Sequence, residues 1–415
     1  MTGVTPARRV AYAVIRRVFE QGAYADRALH GEARGLDPRE RGLAMRLAYG
    51  TVQRKLTLDH FIERLARPVD ELDPPTLAAL RLGLYQLAFL NNAASHAVVG
   101  ESVELAKGKQ GGHGLVNAVL RRALREGIPA LPSDDTPAGA AIAHSYPPWL
   151  VELWWERFGA DETRALLRAG NEPGELALRV NTLVSTPAEV AEQLGVVSTP
   201  AGDELPEGLV VEGAFDAHAH PLYARGAYVA QSRASMLVSR TLDPQPGQRV
   251  LDLCAAPGGK TTHLAALMDN RGEIVAVERH AKRAQALART CERMGAARVR
   301  IETGDATQFE TQTPFDRILV DPPCSGLGTL QGHPDLRWRM TPEAIEELAV
   351  AQTTILEAAT AALAPGGALV YSTCTLSPAE NEERVAASGL RLESDRLVLP
   401  HRDRTDGFYI ARLHS

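Results

Sequence analysis

The stretch that decides the fold is RVLDLCAAPGGKTTHLAAL, residues 249–267. It predicts an apolar strand, a loop of small residues with two adjacent glycines, and a helix, an arrangement that brings backbone close to a bound nucleotide. The spacing is not that of a P-loop, because no glycine stands five positions before Gly259, and it is not G-x-G-x-x-G. The loop therefore favours a nucleoside ligand and disfavours a dinucleotide with a pyrophosphate.

Strands and helices alternate regularly after the turn DPQPGQ. The further apolar strands are EIVAVE, RVRIE, DRILVD and ALVYST, and two short strands near the carboxyl terminus are expected to pair as a hairpin at the sheet edge. Alternation of this kind predicts a mostly parallel sheet covered on both faces. We assign residues 241–415 to a Rossmann-like α/β domain.

The amino-terminal part has a different periodicity. Apolar residues recur at helical spacing from residue 5 to about 127, which predicts an all-α bundle over residues 1–130. Prolines and small residues interrupt the pattern at 127–141 and indicate a linker. Residues 131–240 then combine this linker with a small α/β segment, in which LALRVNTL is a predicted strand and TPAEVAEQLG a capped helix.

Whole-chain composition narrows the class of protein. The 415 residues suggest two or three domains, and neither a membrane-spanning tract nor a secretory signal is recognisable, so a cytoplasmic location is expected. The four cysteines show no CxxC spacing, which supports neither a metal site nor a disulfide framework. The net charge of −6 argues against a generic nucleic-acid binder. Residues 1–130, however, carry 19 Lys and Arg against 13 Asp and Glu, which fits either an ordinary Arg-rich surface or a region that contacts phosphates.

Two acidic residues extend the predicted nucleoside site. Glu278 ends the strand after the glycine loop and is placed to accept hydrogen bonds from ribose hydroxyls, and Asp305 follows the third strand, where an adenine amino group is a natural partner. The alternative for an acid after a strand is a helix cap. A nucleoside with a sulfonium, S-adenosylmethionine, fits a loop without phosphate-binding glycines better than NAD or ATP does.

Two cysteines stand in strand-to-loop segments. Cys324 lies in ILVDPPCSGLGTL, held by two prolines after Asp321, and Cys374 lies in ALVYSTCTLSPAENEE. Ser377, Pro378 and Glu380 are expected to cap a following helix, whose amino terminus would favour a thiolate at Cys374. A thiolate is a soft nucleophile that can attack an electron-poor ring carbon, and at this point either cysteine qualifies. We interpret the other two, Cys254 and Cys291, as small core residues.

The loop GLGTLQGHPDLRWR follows Cys324. It carries Arg337 and Arg339 around Trp338, a combination suited to backbone phosphates and base stacking. The alternative is a solvated lid with one buried tryptophan.

Three of these motifs resemble a known family. DLCAAPGGKT, DPPCSG and YSTCTLSPAEN are similar to the cofactor, motif IV and motif VI signatures of the RNA cytosine-5 methyltransferases of the RsmB/Sun (NOL1/NOP2/Sun-domain) group. ALRLGLYQL, HAVVGESVELAK and GLVNAVLRR resemble the NusB-like RNA-binding domain of the bacterial RsmB branch, and LRVNT resembles a strand of its intervening RNA-binding segment. The resemblance covers nearly the whole chain.

The resemblance implies a substrate and a set of roles. The substrate would be ribosomal RNA, with small-subunit cytosine the best expectation; Cys374 would be the nucleophile and Cys324 would assist product release. Asp321 is expected to act on the N3 side of the base. The implied S-adenosylmethionine contacts are Cys254, Ala255, Ala256, Pro257, Gly258, Gly259, Lys260, Glu278, Asp305 and Asp321, and the implied RNA contacts are Arg179, Asn181, Arg337 and Arg339.

The target base must leave its stack to be reached, so single-stranded or distorted RNA is expected, and the protein is expected to act as a monomer. The sequence departs from the family pattern in DPPC where many members have DAPC, in Gln331 and Gly332 before HPD, and in AQSRAS at 230–235. The last two departures bear on RNA contacts, and none touches either cysteine.

Two other functions are kept as alternatives. One is a non-catalytic RNA-binding or ribosome-assembly factor that retains a methyltransferase scaffold. The other is an amino-group methyltransferase, in which an aromatic residue would be expected after the paired prolines. Cys324 stands at that position. The sequence leaves open which nucleotide is modified, and it separates ribosomal from transfer RNA only through the resemblance.

Overall fold

The computed structural model describes residues 3–91, 94–107, 112–213 and 215–415. They form two compact units. The first comprises the described residues of Met1–Glu172 together with Leu330–Arg339, and the second comprises those of Pro173–Thr329 and Met340–Ser415. The chain therefore passes from one unit to the other three times. Among the described residues, no helix is long and apolar enough to cross a membrane.

The first unit is helical. Its described helices before residue 173 are α1 (Pro6–Gln21), α2 (Ala25–Glu32), α3 (Pro38–Gln53), α4 (Lys55–Leu65), α5 (Pro74–Phe89), α6 (Ser95–Leu105), α7 (His113–Glu126), α8 (Pro137–His144), α9 (Pro148–Phe158) and α10 (Ala160–Ala169), with a 3₁₀ turn at Val69–Glu71. In α1 the residues Ala7, Ala11, Val14, Ile15 and Val18 are buried, which is the i, i+3, i+4 spacing of one helix face. This periodicity confirms the predicted bundle.

The helical unit reaches further along the chain than the bundle predicted from the sequence. Helix α8 begins at Pro137, inside the predicted linker, because Thr136 accepts a hydrogen bond from the Gly139 amide and caps it. Helices α8, α9 and α10 all lie in the first compact unit. The three domain limits proposed from the sequence stay a prediction, and the compact units divide the chain at other residues.

The second unit begins with a small antiparallel sheet. Its elements are β1 (Leu176–Val180), α11 (Pro187–Gln193), β2 (Ser198–Pro200), β3 (Gly208–Val211), α12 (Pro221–Ala224), β4 (Tyr228–Ala230) and α13 (Arg233–Leu242). The strand order is β2-β3-β1-β4. The predicted cap of α11 is present as a reciprocal capping box between Thr186 and Glu189.

The larger sheet of this unit has seven strands. The elements of the chain from residue 249 onwards are β5 (Arg249–Leu253), α14 (Gly259–Leu267), β6 (Glu273–Glu278), α15 (Ala281–Arg293), β7 (Val299–Thr303), β8 (Phe315–Val320), α16 (Leu336–Arg339), α17 (Pro342–Ala362), β9 (Leu363–Thr373), α18 (Glu382–Ala387), β10 (Arg391–Val398), α19 (Pro400–Asp403) and β11 (Phe408–His414), with 3₁₀ turns at Ala306–Gln308 and Pro378–Glu380. Of these, α16 belongs to the helical unit. The strand order is β10-β11-β9-β8-β5-β6-β7.

The sheet is mostly parallel. Strands β9, β8, β5, β6 and β7 run parallel, whereas β11 pairs antiparallel with both β9 and β10. This confirms the predicted Rossmann-like domain and the predicted terminal hairpin. Consecutive residues of one strand lie in two different apolar clusters. Val250 of β5 and Leu319 of β8 belong to one cluster, and Leu251 of β5 and Ile318 of β8 belong to the other. Burial on both faces explains why these strands are continuously apolar in the sequence.

Candidate active site

Five loops meet at one edge of the larger sheet. They follow β5, β6, β7, β8 and β9, whose carboxyl ends lie side by side because these strands are parallel. They carry the residues that the sequence singled out: 254–260, Glu278, Asp305, Asp321 with Cys324, and Cys374. Open α/β sheets bind their ligands at this edge.

The loop after β5 has a sharply turned backbone. Cys254 adopts φ 71° and Gly258 adopts φ 104°, and the Ala255 amide donates to the Val277 carbonyl at 2.9 Å. At Gly258 the positive φ requires glycine, and a Cβ atom there would stand 2.8 Å from Leu287 Cδ1, so that side chain would also have to move. The loop thereby leads directly into α14 at Gly259.

Two arginines hold the carbonyl groups of this loop. Arg283 of α15 donates to the Ala256 carbonyl at 2.8 Å, and Arg179 of β1 donates to the Gly259 carbonyl at 3.1 Å. Arg179 also donates to Gln231 Oε1 at 2.7 Å and to Thr262 Oγ1 at 2.8 Å. The small sheet therefore contributes to the shape of the glycine loop.

The two acids beside the loop have different roles in the structure. Glu278 is buried, and one of its oxygens accepts the His280 amide at 2.8 Å. Asp305 accepts the amide and hydroxyl of Thr307 at 3.1 and 2.8 Å, so it caps the 3₁₀ turn, which is the alternative left open by the sequence. These hydrogen bonds hold the pKa of Asp305 below its ordinary value.

This set of acidic side chains fits a nucleoside. The carboxylates of Glu278 and Asp305 can accept hydrogen bonds from hydroxyl and amino groups, and their charge favours a cationic group over phosphate. The same edge carries the Asp321 carboxylate. A ligand with ribose hydroxyls, an amino group and a sulfonium satisfies this chemistry, whereas a pyrophosphate does not.

The two thiols of interest lie in contact. Cys324 Sγ and Cys374 Sγ are 3.3 Å apart, although 50 residues separate them in the chain, and both residues are partly exposed. The hydrogen bond between Cys324 and Cys374, together with burial and the charges of Glu380 and Asp321, raises the pKa of Cys324 well above its ordinary value. Burial raises the pKa of Cys254 and of Cys291 to about 12, which agrees with their interpretation as packing residues.

A charged pair stands beside the thiols. Lys260 Nζ donates to one oxygen of Asp321 at 2.7 Å, and the Ser372 hydroxyl donates to the other oxygen at 2.9 Å. Burial by itself lowers the pKa of Lys260, but the Asp321 carboxylate outweighs it and raises that pKa, so the ammonium group stays charged. Asp321 is thereby held in one orientation as a hydrogen-bonded carboxylate.

The predicted helix start after Cys374 is wrong. Ser377 makes no capping hydrogen bond, residues Pro378–Glu380 form a single 3₁₀ turn, and α18 begins only at Glu382 with six residues. The Glu380 side chain turns instead to Ser325, whose amide donates to it at 2.8 Å. A long-range partner outcompetes the local cap, so the structure does not provide the helix amino terminus that was expected to favour a thiolate at Cys374.

The four residues implied in RNA contact are engaged by the protein itself. Arg179 is fully buried, and Asn181, also buried, donates to the carbonyls of Gly226 and Met294 at 2.9 and 2.8 Å. Arg337 is fully buried within the helical unit, and Arg339 donates to the Gly22 carbonyl at 2.5 Å. Contact of these four side chains with RNA stays a prediction, and the hydrogen bonds named here all go to protein acceptors.

The fold and the site define a class of protein: a Rossmann-like enzyme for group transfer from a nucleoside cofactor, with a pair of thiols beside the cofactor loop. Three family models match the chain: "16S rRNA methyltransferase RsmB/F" at residues 239–395, the NusB family at 5–125, and the RsmF/B-like ferredoxin-like domain at 146–218. A protein of Synechocystis named probable ribosomal RNA small subunit methyltransferase B is 38% identical over 442 residues, covering 98% of this chain and 99% of that protein. The chain belongs to the RsmB/F methyltransferase family.

Solved structures agree with this assignment. The crystal structure of PH0851 superposes with a TM-score of 0.82 at 27% identity and covers 100% of both chains. A crystal structure of NSun6 from Pyrococcus horikoshii with SFG has a TM-score of 0.62 at 25% identity, covering 65% of this chain and 98% of that one. The family resemblance noted from the motifs is thereby confirmed.

Proposed function

We propose that this protein uses S-adenosylmethionine to methylate carbon 5 of cytosine in RNA, with small-subunit ribosomal RNA as the substrate. The contact of Cys324 Sγ with Cys374 Sγ at 3.3 Å is the observation that carries the proposal. One thiol attacks the base and the other assists its release, which requires both at a single ring. Membership of a 16S rRNA methyltransferase family supports the choice of RNA.

The cofactor binds at the glycine loop in this proposal. Residues 254–260 supply the backbone that faces it, Glu278 takes the ribose hydroxyls, and Asp305 lies where the adenine amino group is expected. Bound there, S-adenosylmethionine supplies a methyl group carried on a positively charged sulfur. The acidic surroundings favour that charge.

The chemistry of the ring explains the need for a nucleophile. Carbon 5 of cytosine is a poor nucleophile, but addition of the Cys374 thiolate to carbon 6 makes the ring enamine-like, so that carbon 5 can accept the methyl group. The negative charge that develops on the N3 side during this addition is cancelled by protonation of N3, and the Asp321 carboxylate, which Lys260 and Ser372 hold in place, accepts the hydrogen bond of the resulting N3–H group.

Release reverses the addition. The proton on carbon 5 is removed, the double bond between carbons 5 and 6 forms again, and the bond from carbon 6 to sulfur breaks so that Cys374 leaves as a thiolate. Cys324 is the group in contact with Cys374; in its thiolate form it takes the carbon 5 proton and becomes the thiol, the form that its raised pKa favours.

The decisive experiment compares cysteine variants of the full chain. Purified wild type, Cys374→Ala, Cys324→Ala and the control Cys291→Ala are incubated with unmodified small-subunit ribosomal RNA and methyl-labelled S-adenosylmethionine. We expect no methyl transfer by Cys374→Ala, a denaturant-resistant protein–RNA adduct with Cys324→Ala, and wild-type transfer by the control, whose thiol is buried in α15. Bisulfite sequencing of the product locates the modified cytosine.

Each result decides a separate part of the proposal. Full transfer by Cys374→Ala removes that residue as the nucleophile, and the absence of an adduct with Cys324→Ala removes the release role of Cys324. Failure of the wild type to bind S-adenosylmethionine in a calorimetric titration would instead favour the non-catalytic RNA-binding factor. Methylation that leaves cytosines sensitive to bisulfite would place the methyl group on another atom.

A further inference from the structure

Cys374 is held through the residues on either side of it. The Thr373 hydroxyl donates to Asn381 Oδ1 at 2.5 Å, and Asn381 Nδ2 donates to the Thr375 carbonyl at 3.0 Å. Thr373, Thr375 and Asn381 are all fully buried. One amide side chain therefore spans the backbone that presents the Cys374 thiol without contacting that thiol itself.

Cys324 is held in the same manner by other side chains. Glu380 accepts the amide and the hydroxyl of Ser325 at 2.8 and 2.5 Å, and Gln352 donates to the Pro323 carbonyl at 2.9 Å. Gln352 also donates to Glu380 at 3.1 Å. Glu380 and Gln352 are fully buried, so both sides of Cys324 are fixed from the interior.

We propose that the consecutive residues Glu380 and Asn381 are positioning residues for two separate steps, Asn381 for the attack by Cys374 and Glu380 for the release assisted by Cys324. The inference rests on the proposed function, because it assigns one cysteine to each step. Both side chains are fully buried and are not exposed to a substrate. Each acts by fixing the backbone on which one thiol is carried.

The geometry explains why such positioning matters at this site. The two sulfur atoms are already in contact at 3.3 Å, and a single ring must be reached by Cys374 at carbon 6 and by Cys324 at carbon 5. A displacement of about 1 Å can cost about a hundredfold in rate for a reaction that depends on oriented groups. The two loops also touch, because Ser325 Oγ and Thr375 Oγ1 are 2.6 Å apart. Loosening one loop should therefore slow the step of its own cysteine most and the other step less.

The experiment follows the two steps separately in a single turnover. Glu380→Ala, Asn381→Ala and wild type are mixed with S-adenosylmethionine and unmodified small-subunit ribosomal RNA, and the denaturant-resistant adduct is quantified over time. We expect Asn381→Ala to form the adduct at least about tenfold more slowly, and Glu380→Ala to form it at nearly the wild-type rate but release it at least about tenfold more slowly. Glu383→Ala, which changes an exposed acid of α18, is the matched control and should behave as wild type.

A conservative variant separates positioning from charge. In Glu380→Gln the amide oxygen still accepts from Ser325 and Gln352, and the amide nitrogen can donate to the Ser325 hydroxyl. We therefore expect Glu380→Gln to restore release to within about threefold of wild type. Release as slow as in Glu380→Ala would show that the carboxylate acts through its charge and would overturn the positioning role.

Other outcomes also decide the inference. If Glu380→Ala and Asn381→Ala slow the same step, or if both lose affinity for S-adenosylmethionine, the two residues serve only the stability of the domain. If Cys324→Ala, run in parallel, accumulates no adduct, the assignment of release to Cys324 fails and the role of Glu380 falls with it. If Cys324→Ala accumulates adduct while Glu380→Ala releases normally, the proposed function stands and this inference is refuted.

Discussion

Arg337 offers a demanding test of how the helical unit is held together. It lies in the segment Leu330–Arg339, yet its guanidinium is fully buried against the first unit. It donates to the Ser145 carbonyl at 3.0 Å, to Asn171 Oδ1 at 3.1 Å and to the Gly170 carbonyl at 3.2 Å. The guanidinium carbon also stands 4.0 Å from the centre of the Tyr146 ring. We predict that Arg337→Met destabilises this unit strongly.

The expected magnitude follows from these contacts. In Arg337→Met the Ser145 carbonyl and Asn171 Oδ1 lose their donor, and each buried acceptor left without a hydrogen bond costs about 1–3 kcal/mol. The Gly170 carbonyl keeps a donor, because Gln53 also donates to it at 3.0 Å. The cation–π contact with Tyr146 adds about 1–2 kcal/mol. Burial lowers the pKa of Arg337, and relief of this desolvation offsets part of the loss. We expect a net loss of about 2–4 kcal/mol, or a melting temperature lower by about 5–15 °C.

Tryptophan fluorescence measures the helical unit selectively. All four tryptophans of the chain lie in it, Trp149, Trp154 and Trp155 in α9 and Trp338 in α16. Urea unfolding followed by this signal gives the free energy of unfolding of the unit. The control Arg121→Met removes an exposed arginine of α7 and should change the free energy of unfolding by less than about 0.5 kcal/mol. A transition of Arg337→Met that coincides with wild type would refute the reasoning.

Three further outcomes are expected. Arg179→Met removes the donor to the Gly259 carbonyl, so the affinity for S-adenosylmethionine, measured by calorimetry, should fall about tenfold. Arg179→Lys should lose less affinity. Unchanged affinity in both variants would contradict the role of Arg179 in the loop. Burial raises the pKa of Asp252 from 3.8 to about 7, so its stabilising contribution is complete below about pH 4 and is lost as pH rises to about 7. In urea unfolding, the free energy of unfolding of Asp252→Asn relative to wild type should therefore rise by a few kcal/mol between about pH 4 and pH 7. A difference that does not change with pH would contradict the raised pKa of Asp252. Mild peroxide should join Cys324 and Cys374 as a disulfide and stop methyl transfer until dithiothreitol is added, with thiol titration falling by two; loss of activity without loss of two thiols would contradict this.

The sheet domain was predictable because its signals are local. Strands β5, β6 and β8 are short and largely apolar, helices of regular periodicity stand between them in the chain, and the glycine loop has its turn residues in place. The position of the segment Leu330–Arg339 was not predictable in this way. Its one glycine and two arginines favour an exposed loop, whereas the partners of Arg337, such as Ser145 and Gly170, stand more than 150 residues away in the chain.

The same distinction applies to the site. Cys324, Cys374 and Asp321 were recognised because each lies in a short motif at a strand end. Glu380 was misread, since Ser-Pro-x-Glu is a good local cap and nothing nearby in the sequence points to Ser325, 55 residues away. Gln352 carries no signal at all, because it stands in the middle of α17 among apolar residues.

The placement of Leu330–Arg339 has a consequence for recombination between relatives. A chimera that exchanges only residues 1–172 would place foreign helices around the native Arg337 and Trp338, whose acceptors include Ser145 and Val52. The unit that can be exchanged is therefore encoded by two separate parts of the gene, and residues 330–339 must be exchanged together with the amino-terminal helices. Divergence in either part constrains the other, even though Cys324 is encoded between them.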